Sequence, residues 1–249
     1  MSENQVLFEK KKIPLKLSIY GILILIIGVI LAVIGTAVDP VRTYFNSVIG
    51  FTFVFSIGIA SLFLVALEYL AGAVWSVPFR RISEILAGLL FFVPLLAVPV
   101  FINPHGVFHW SDPAVLAQNP AINAKAPYLN MTFFIIRNIA IFAVAILFYL
   151  IITRNSQKQD VSANQNLTKI NIRLSAVFMP FFAITITVMS IDWLMSLEPH
   201  WFSTIFGVYY FSGSLLAALA ALTLIAVYLH ERGYLMKGLN SNHFTVSVH

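Results

Sequence analysis

The sequence predicts an all-α polytopic membrane bundle of about six transmembrane helices, with both termini cytoplasmic. Three observations lead there. Of 249 residues, 59% are hydrophobic and 10% charged, and the mean hydropathy is +0.89. A soluble domain carries about one-quarter charged residues, so this chain cannot clothe itself for water. Second, the apolar residues fall into six long unbroken runs. In lipid the backbone must satisfy its own hydrogen bonds, which leaves helices or closed barrels, and the runs lack the short alternating pattern of barrel strands. Third, the basic residues are distributed asymmetrically along the connections.

The predicted elements follow in order. Residues 1–16 form a cytoplasmic N-terminal segment. The first span, Leu17–Val38, has an apolar run of about 22 residues, longer than the 7–15 of a cleavable signal sequence, so it is read as retained. Val48–Leu70 and Ile82–Ile102 follow, the latter holding Pro94 and Pro99. The connection Asn103–Pro127 is rich in Pro, Asn and Ala. Spans four and five are Leu129–Ile152 and Ile172–Leu197, joined by the polar, basic segment Thr153–Asn171. Span six is Phe202–His230, and residues 231–249 form a cytoplasmic tail. The spans constitute one transmembrane domain, residues 17–230.

Charge sets the orientation. Lys10, Lys11, Lys12, Lys16, Arg80, Arg81, Arg154, Lys158, Lys169, Arg173, Arg232 and Lys237 fall on one side. Arg42 and Lys125 fall on the other, and Arg137 lies within a span. The net charge of +5 is therefore a topology signal, and no nucleic-acid partner is expected. The chain has no cysteine, which excludes disulfides, cysteine-ligated iron–sulfur clusters and covalently attached c-type haem on this chain. No histidine falls at mid-membrane, as a buried haem b would need. The spacing of His105, His109 and His200 is not specific for a metal, and no metal site is expected.

Ionisable groups inside spans are costly and mark candidate sites. Two layers emerge. The outer layer pairs Arg137, about nine residues or ~13 Å into its span, with Asp192, about five residues or ~8 Å from the outer end of the next. Glu198 and His200 sit on the following turn. His105 and His109 arrive from the outer connection, four apart, where one helical turn aligns them. The inner layer holds Glu68, Arg80, Arg81 and Glu84. These groups suit either proton handling or a quinol head group, which needs an apolar aromatic slot and a proton acceptor. A plain packing pair at Arg137–Asp192, an interfacial aromatic belt at Trp193, Trp201, Tyr209 and Tyr210, a quinone-binding catalytic subunit in its own right, and a small secondary transporter or channel with Pro-broken spans are the competing readings.

Four stretches carry a resemblance: AGAVWSVPFRRISE (Ala71–Glu84), FHWSDP (Phe108–Pro113), KAPYLNMTFFIIRN (Lys125–Asn138) and DWLMSLEPHWFSTIFGVYYF (Asp192–Phe211). In order and spacing the chain resembles the F-subunit family of alternative complex III, which has the polysulfide-reductase-like (NrfD-like) membrane fold. The resemblance implies a multi-subunit bacterial quinol:electron-acceptor oxidoreductase in the cytoplasmic membrane. It implies partners that carry iron–sulfur clusters and haem c, and a sister NrfD-like membrane subunit. It implies a structural and proton-conducting role, with quinol or menaquinol as the possible ligand and no cofactor assigned to this chain. Asp192, Arg137, Glu68, His105 and His109 become proton-path or quinone-site candidates, and Arg80, Arg81 and Glu84 match by position. The family continues through further spans where this chain ends at KGLNSNHFTVSVH, so a C-terminally shortened version is expected.

Overall fold

The computed structural model describes residues 15–73, 77–159 and 165–232. Most of the predicted N-terminal segment and tail therefore lie outside the described residues. So do Lys10, Lys11, Lys12 and Lys237, and residues 74–76 of the AGAVWSVPFRRISE stretch.

The described residues are helical, without strands: α1 (Leu15–Val38), α2 (Pro40–Ala71), α3 (Val77–Ala87), α4 (Val93–Ile102), α5 (Pro113–Gln118), α6 (Pro120–Asn123), α7 (Met131–Gln159), α8 (Gln165–Trp193) and α9 (Phe206–Glu231). Six segments are long and apolar enough to cross a membrane: Ile19–Val38, Pro40–Ala71, Phe79–Ile102, Met131–Gln159, Gln165–Leu197 and Phe206–Glu231. The chain is an integral multi-pass membrane protein.

Two compact units divide the chain, residues 1–43 and 44–249. In the first, α1 is apolar all round, and none of its span is buried, as befits a helix whose solvent is lipid. Asp39 ends the turn after it, and its Oδ1 accepts the Arg42 N–H at 3.1 Å. This side-chain cap lets α2 begin at Pro40, well before the apolar run starts.

In the second unit α2 ends on Gly72 at φ +60°. The Ala73 N–H bonds back to the Glu68 carbonyl at 3.1 Å, the closure that needs a left-handed residue. Span three is not one helix. It runs as α3, a 3₁₀ turn at Gly88–Phe91, and α4. Pro94 explains the break: it has no N–H to give the Leu90 carbonyl, and its ring crowds that carbonyl. Pro180, by contrast, is absorbed inside a continuous α8.

Antiparallel α7 and α8 form a hairpin whose register is pinned by polar side chains. Asn155 donates to Asn171 Oδ1 at 2.9 Å, Asn171 donates to the Ile152 carbonyl at 3.1 Å, and Gln159 donates to Thr168. Such interhelical bonds hold helices together where lipid gives no hydrophobic drive. A Cβ at Gly207 would lie 2.9 Å from Thr187 Oγ1, so α9 approaches α8 closely. The Tyr210 hydroxyl donates to the Thr52 carbonyl at 2.6 Å, tying α9 to α2. Two apolar clusters fill the unit. One gathers rings around Trp193, which stacks on Phe51 with centroids 3.7 Å apart. The other packs Phe79 and Ile82 of α3 on Leu222 and Ala226 of α9. Below, the upper end means the end bearing the 103–130 connection, and the lower end the opposite one.

Candidate functional site

Among the described residues, the upper end holds the most deeply buried charge, Asp192. Arg137 stands two turns into α7, and Asp192 is in the last turn of α8. The hairpin brings them together. Asp192 is 0% exposed, and the Arg137 side chain is 11% exposed. The contact is bidentate: Nε donates to Oδ2 and Nη2 to Oδ1, both at 2.9 Å. The Tyr128 hydroxyl donates to Oδ1 at 2.9 Å. The third guanidinium nitrogen, Nη1, donates to the Tyr128 carbonyl at 3.1 Å. Arg137 also lies over the Tyr128 and Phe133 rings, at 4.0 and 4.3 Å.

The energetics account for the geometry. A carboxylate at a helix C-terminus opposes the helix dipole, and burial adds a desolvation cost. Three accepted hydrogen bonds, two of them from a cation, offset both. Tyr128 lies just before the span. Burial first, then the Asp192 charge and their hydrogen bond, push its phenol above the usual tyrosine range. Tyr128 thus stays a hydrogen donor to Asp192.

Behind this set, Trp193 Nε1 donates to Asn138 Oδ1 at 2.7 Å. Both side chains are buried. Beside it, a cleft of about 360 Å³ is lined by Lys125, Tyr128, Ile191, Met195, Pro199 and Trp201, among others. Two ties close the loops around the cleft. Lys125 Nζ donates to the Pro199 carbonyl at 2.5 Å, and the Asn119 amide meets His200 Nε2 at 2.9 Å.

The remaining candidates separate. His105 bonds Ser111 through Nδ1 at 2.8 Å and is exposed, as is His109. They do not share a helical turn, because Pro104–Gly106 and His109–Ser111 are distinct 3₁₀ turns. Glu198 and His200 are exposed on the turn after α8. At the lower end Glu68 pairs with Arg80 at 3.1 Å, and Arg80 covers the Tyr69 ring at 4.4 Å. Glu84 is 3% exposed. Its Oε2 accepts from Arg81 at 2.5 Å, and Arg81 also donates to the Ser156 carbonyl at 3.1 Å. Among the described residues, Glu84 Oε1 has no hydrogen-bond partner. Among the described residues, no three His, Asp or Glu side chains gather closely enough to hold a metal.

Sequence reasoning brought Arg137 to Asp192 and the lower acids to their arginines. It missed Tyr128, Asn138 and Lys125. Tyr128 carried a signal in its place within KAPYLN, just ahead of the span that holds Arg137, but a tyrosine there also reads as an interfacial anchor. No protein-family model matches the chain, and no curated protein does either.

Proposed function

We propose that this chain is a membrane subunit of a respiratory quinol:electron-acceptor oxidoreductase of the alternative complex III type, supporting quinol oxidation and proton conduction. One observation carries the reading. The two most distinctive stretches of the resemblance, KAPYLNMTFFIIRN and DWLMSLEPHWFSTIFGVYYF, build one buried Tyr128–Asp192–Arg137 set. An ionisable cluster of this kind inside a membrane is retained for function by default, because it is costly for packing alone. The exposed Glu198 and His200 follow Asp192 on the turn after α8, so a proton held at this end would be passed toward water there. At the lower end Glu84 and Glu68 supply buried and half-buried carboxylates, a second mouth for a proton path.

In this reading the redox centres sit on partners: an iron–sulfur subunit, c-type cytochromes and a sister membrane subunit. The location is the bacterial cytoplasmic membrane. The chain itself contributes binding, orientation and proton-handling groups around a quinol or menaquinol used by the complex.

The test is affinity purification in mild detergent, with a reduced-minus-oxidised absorbance spectrum and mass spectrometry of what co-purifies. The expected result is a c-type haem band together with an iron–sulfur subunit. A colourless chain that purifies alone and moves a solute across vesicle membranes would overturn the reading in favour of a transporter.

A further inference from the structure

The cleft at the upper end has a chemistry that the buried charge set does not explain. Its walls are nearly all apolar, with Pro127, Leu129, Ile191 and Met195 among them. At its rim Trp201 and Phe202 are 49% and 72% exposed. Its two hydroxyls have already given their hydrogens: Tyr128 to Asp192 Oδ1, and Ser196 to the Asp192 carbonyl at 2.5 Å.

Lys125 is the exception. It is half-buried and lines the cleft. One of its three N–H groups goes to the Pro199 carbonyl, which leaves two donors. Among the described residues, no carboxylate lies within ion-pair distance of it. Half-buried charge without a counter-charge is costly, so the cleft is complementary to an anion attached to an apolar body. A neutral quinol head would leave the ammonium unmatched. A free phosphate would leave the apolar walls unmatched. The segment holding Lys125 lies just above the first turn of α7, and the aromatic rim suits the level of membrane head groups.

We propose that this cleft binds a membrane phospholipid, with Lys125 on its phosphate and one acyl chain along the wall formed by Ile191, Met195 and Leu129. The bound lipid would brace the 119–130 and 194–203 segments, which the Lys125–Pro199 and Asn119–His200 contacts already tie. This inference stands on the cleft alone and does not depend on the respiratory reading.

The test uses the purified chain, its Lys125→Gln variant and an Ala124→Trp variant that fills the cleft. Lipids retained through mild detergent are identified by mass spectrometry. Thermal stability of the delipidated chain is then read with phosphatidylglycerol, inorganic phosphate or a quinone added. The expected result is a retained phospholipid in the wild type and none in Ala124→Trp. Lys125→Gln should bind phosphatidylglycerol about five-fold more weakly, the usual contribution of one basic residue at an anionic surface. Phosphate alone should leave the melting temperature unchanged. Equal retention in all three proteins would overturn the proposal. So would a quinone retained in place of phospholipid, or stabilisation by phosphate alone equal to that by lipid. None of these outcomes bears on which subunits co-purify, so failure here is distinct from failure of the proposed function.

Discussion

Asp192→Asn tests whether the upper-end charges act as one unit. The carboxylate accepts three hydrogen bonds at 2.9 Å, from Tyr128 and twice from Arg137. Asparagine keeps one acceptor oxygen and turns an amide N–H₂ toward a guanidinium that can only donate. Breaking a buried ion pair by removing one partner costs about 3–5 kcal/mol. Arg137 keeps the Tyr128 carbonyl and its two ring contacts, which places the expected loss near the low end, about 3 kcal/mol. Arg137→Met, which strands the Asp192 carboxylate, should cost as much or more, for Asp192 is the more buried partner. The combined Arg137→Met/Asp192→Asn protein carries no stranded charge, and its amide oxygen can still accept from the Tyr128 hydroxyl, so it should lose only about 1 kcal/mol. Independent effects would instead sum to about 6 kcal/mol. The assay is reversible unfolding in mixed detergent micelles followed by circular dichroism. A double variant that loses the sum of the single losses would refute the idea of a coupled pair.

Three further outcomes are expected. Spectrophotometric titration, differenced against Tyr128→Phe, should find Tyr128 still protonated above about pH 10, where free tyrosine ionises, and Asp192→Asn should bring its titration down, because two of the three causes that raise it involve Asp192. The sign of the linkage follows: stability from this raised group is present below about pH 10, the unfolded value, and is lost as pH rises through the folded one. Trp193→Phe should cost about 1–2 kcal/mol by the same unfolding assay, since it strands the buried Asn138 oxygen that accepts the indole N–H. Arg81→Ala should destabilise more than Arg80→Ala, because it leaves a 3%-exposed Glu84 without its cation, whereas Glu68 is only half-buried. Adding Glu84→Gln should recover part of the Arg81→Ala loss, and an undiminished loss would refute that account.

The spans were legible because lipid makes hydropathy decisive, yet their ends were less so. α2 begins at Pro40 rather than near Val48 because Asp39 caps it and Pro fits the first turn. Those residues look like a loop when only apolar runs are counted. α7 and α8 likewise extend to Gln159 and back to Gln165. The hairpin's Asn155–Asn171 and Gln159–Thr168 contacts carry helix past the apolar run through polar residues. Span three has the opposite fault. Its composition is uniform, but Pro94 changes the backbone pattern, and hydropathy does not register a missing N–H.

The site was legible in proportion to how far each contact is fixed by helix geometry. Arg137 and Asp192 sit on adjacent antiparallel helices at matched depth, so counting residues at a fixed rise was enough to pair them. His105 and His109 failed the same arithmetic, because a spacing of four aligns side chains only on a continuous helix. Pro104 opens a 3₁₀ turn that ends at Gly106, and Val107 leaves helical geometry at φ −123°. Tyr128 and Lys125 lie in the irregular segment ahead of α7, where no period exists to extrapolate. Their positions come from what they bond: Tyr128 to a carboxylate, Lys125 to the Pro199 carbonyl. Of the two, Lys125 has no carboxylate partner among the described residues, while Tyr128 is satisfied. For that reason the charge set and the cleft, though they share a wall, are proposed to take different ligands: protons at Asp192, and an acidic amphiphile at Lys125.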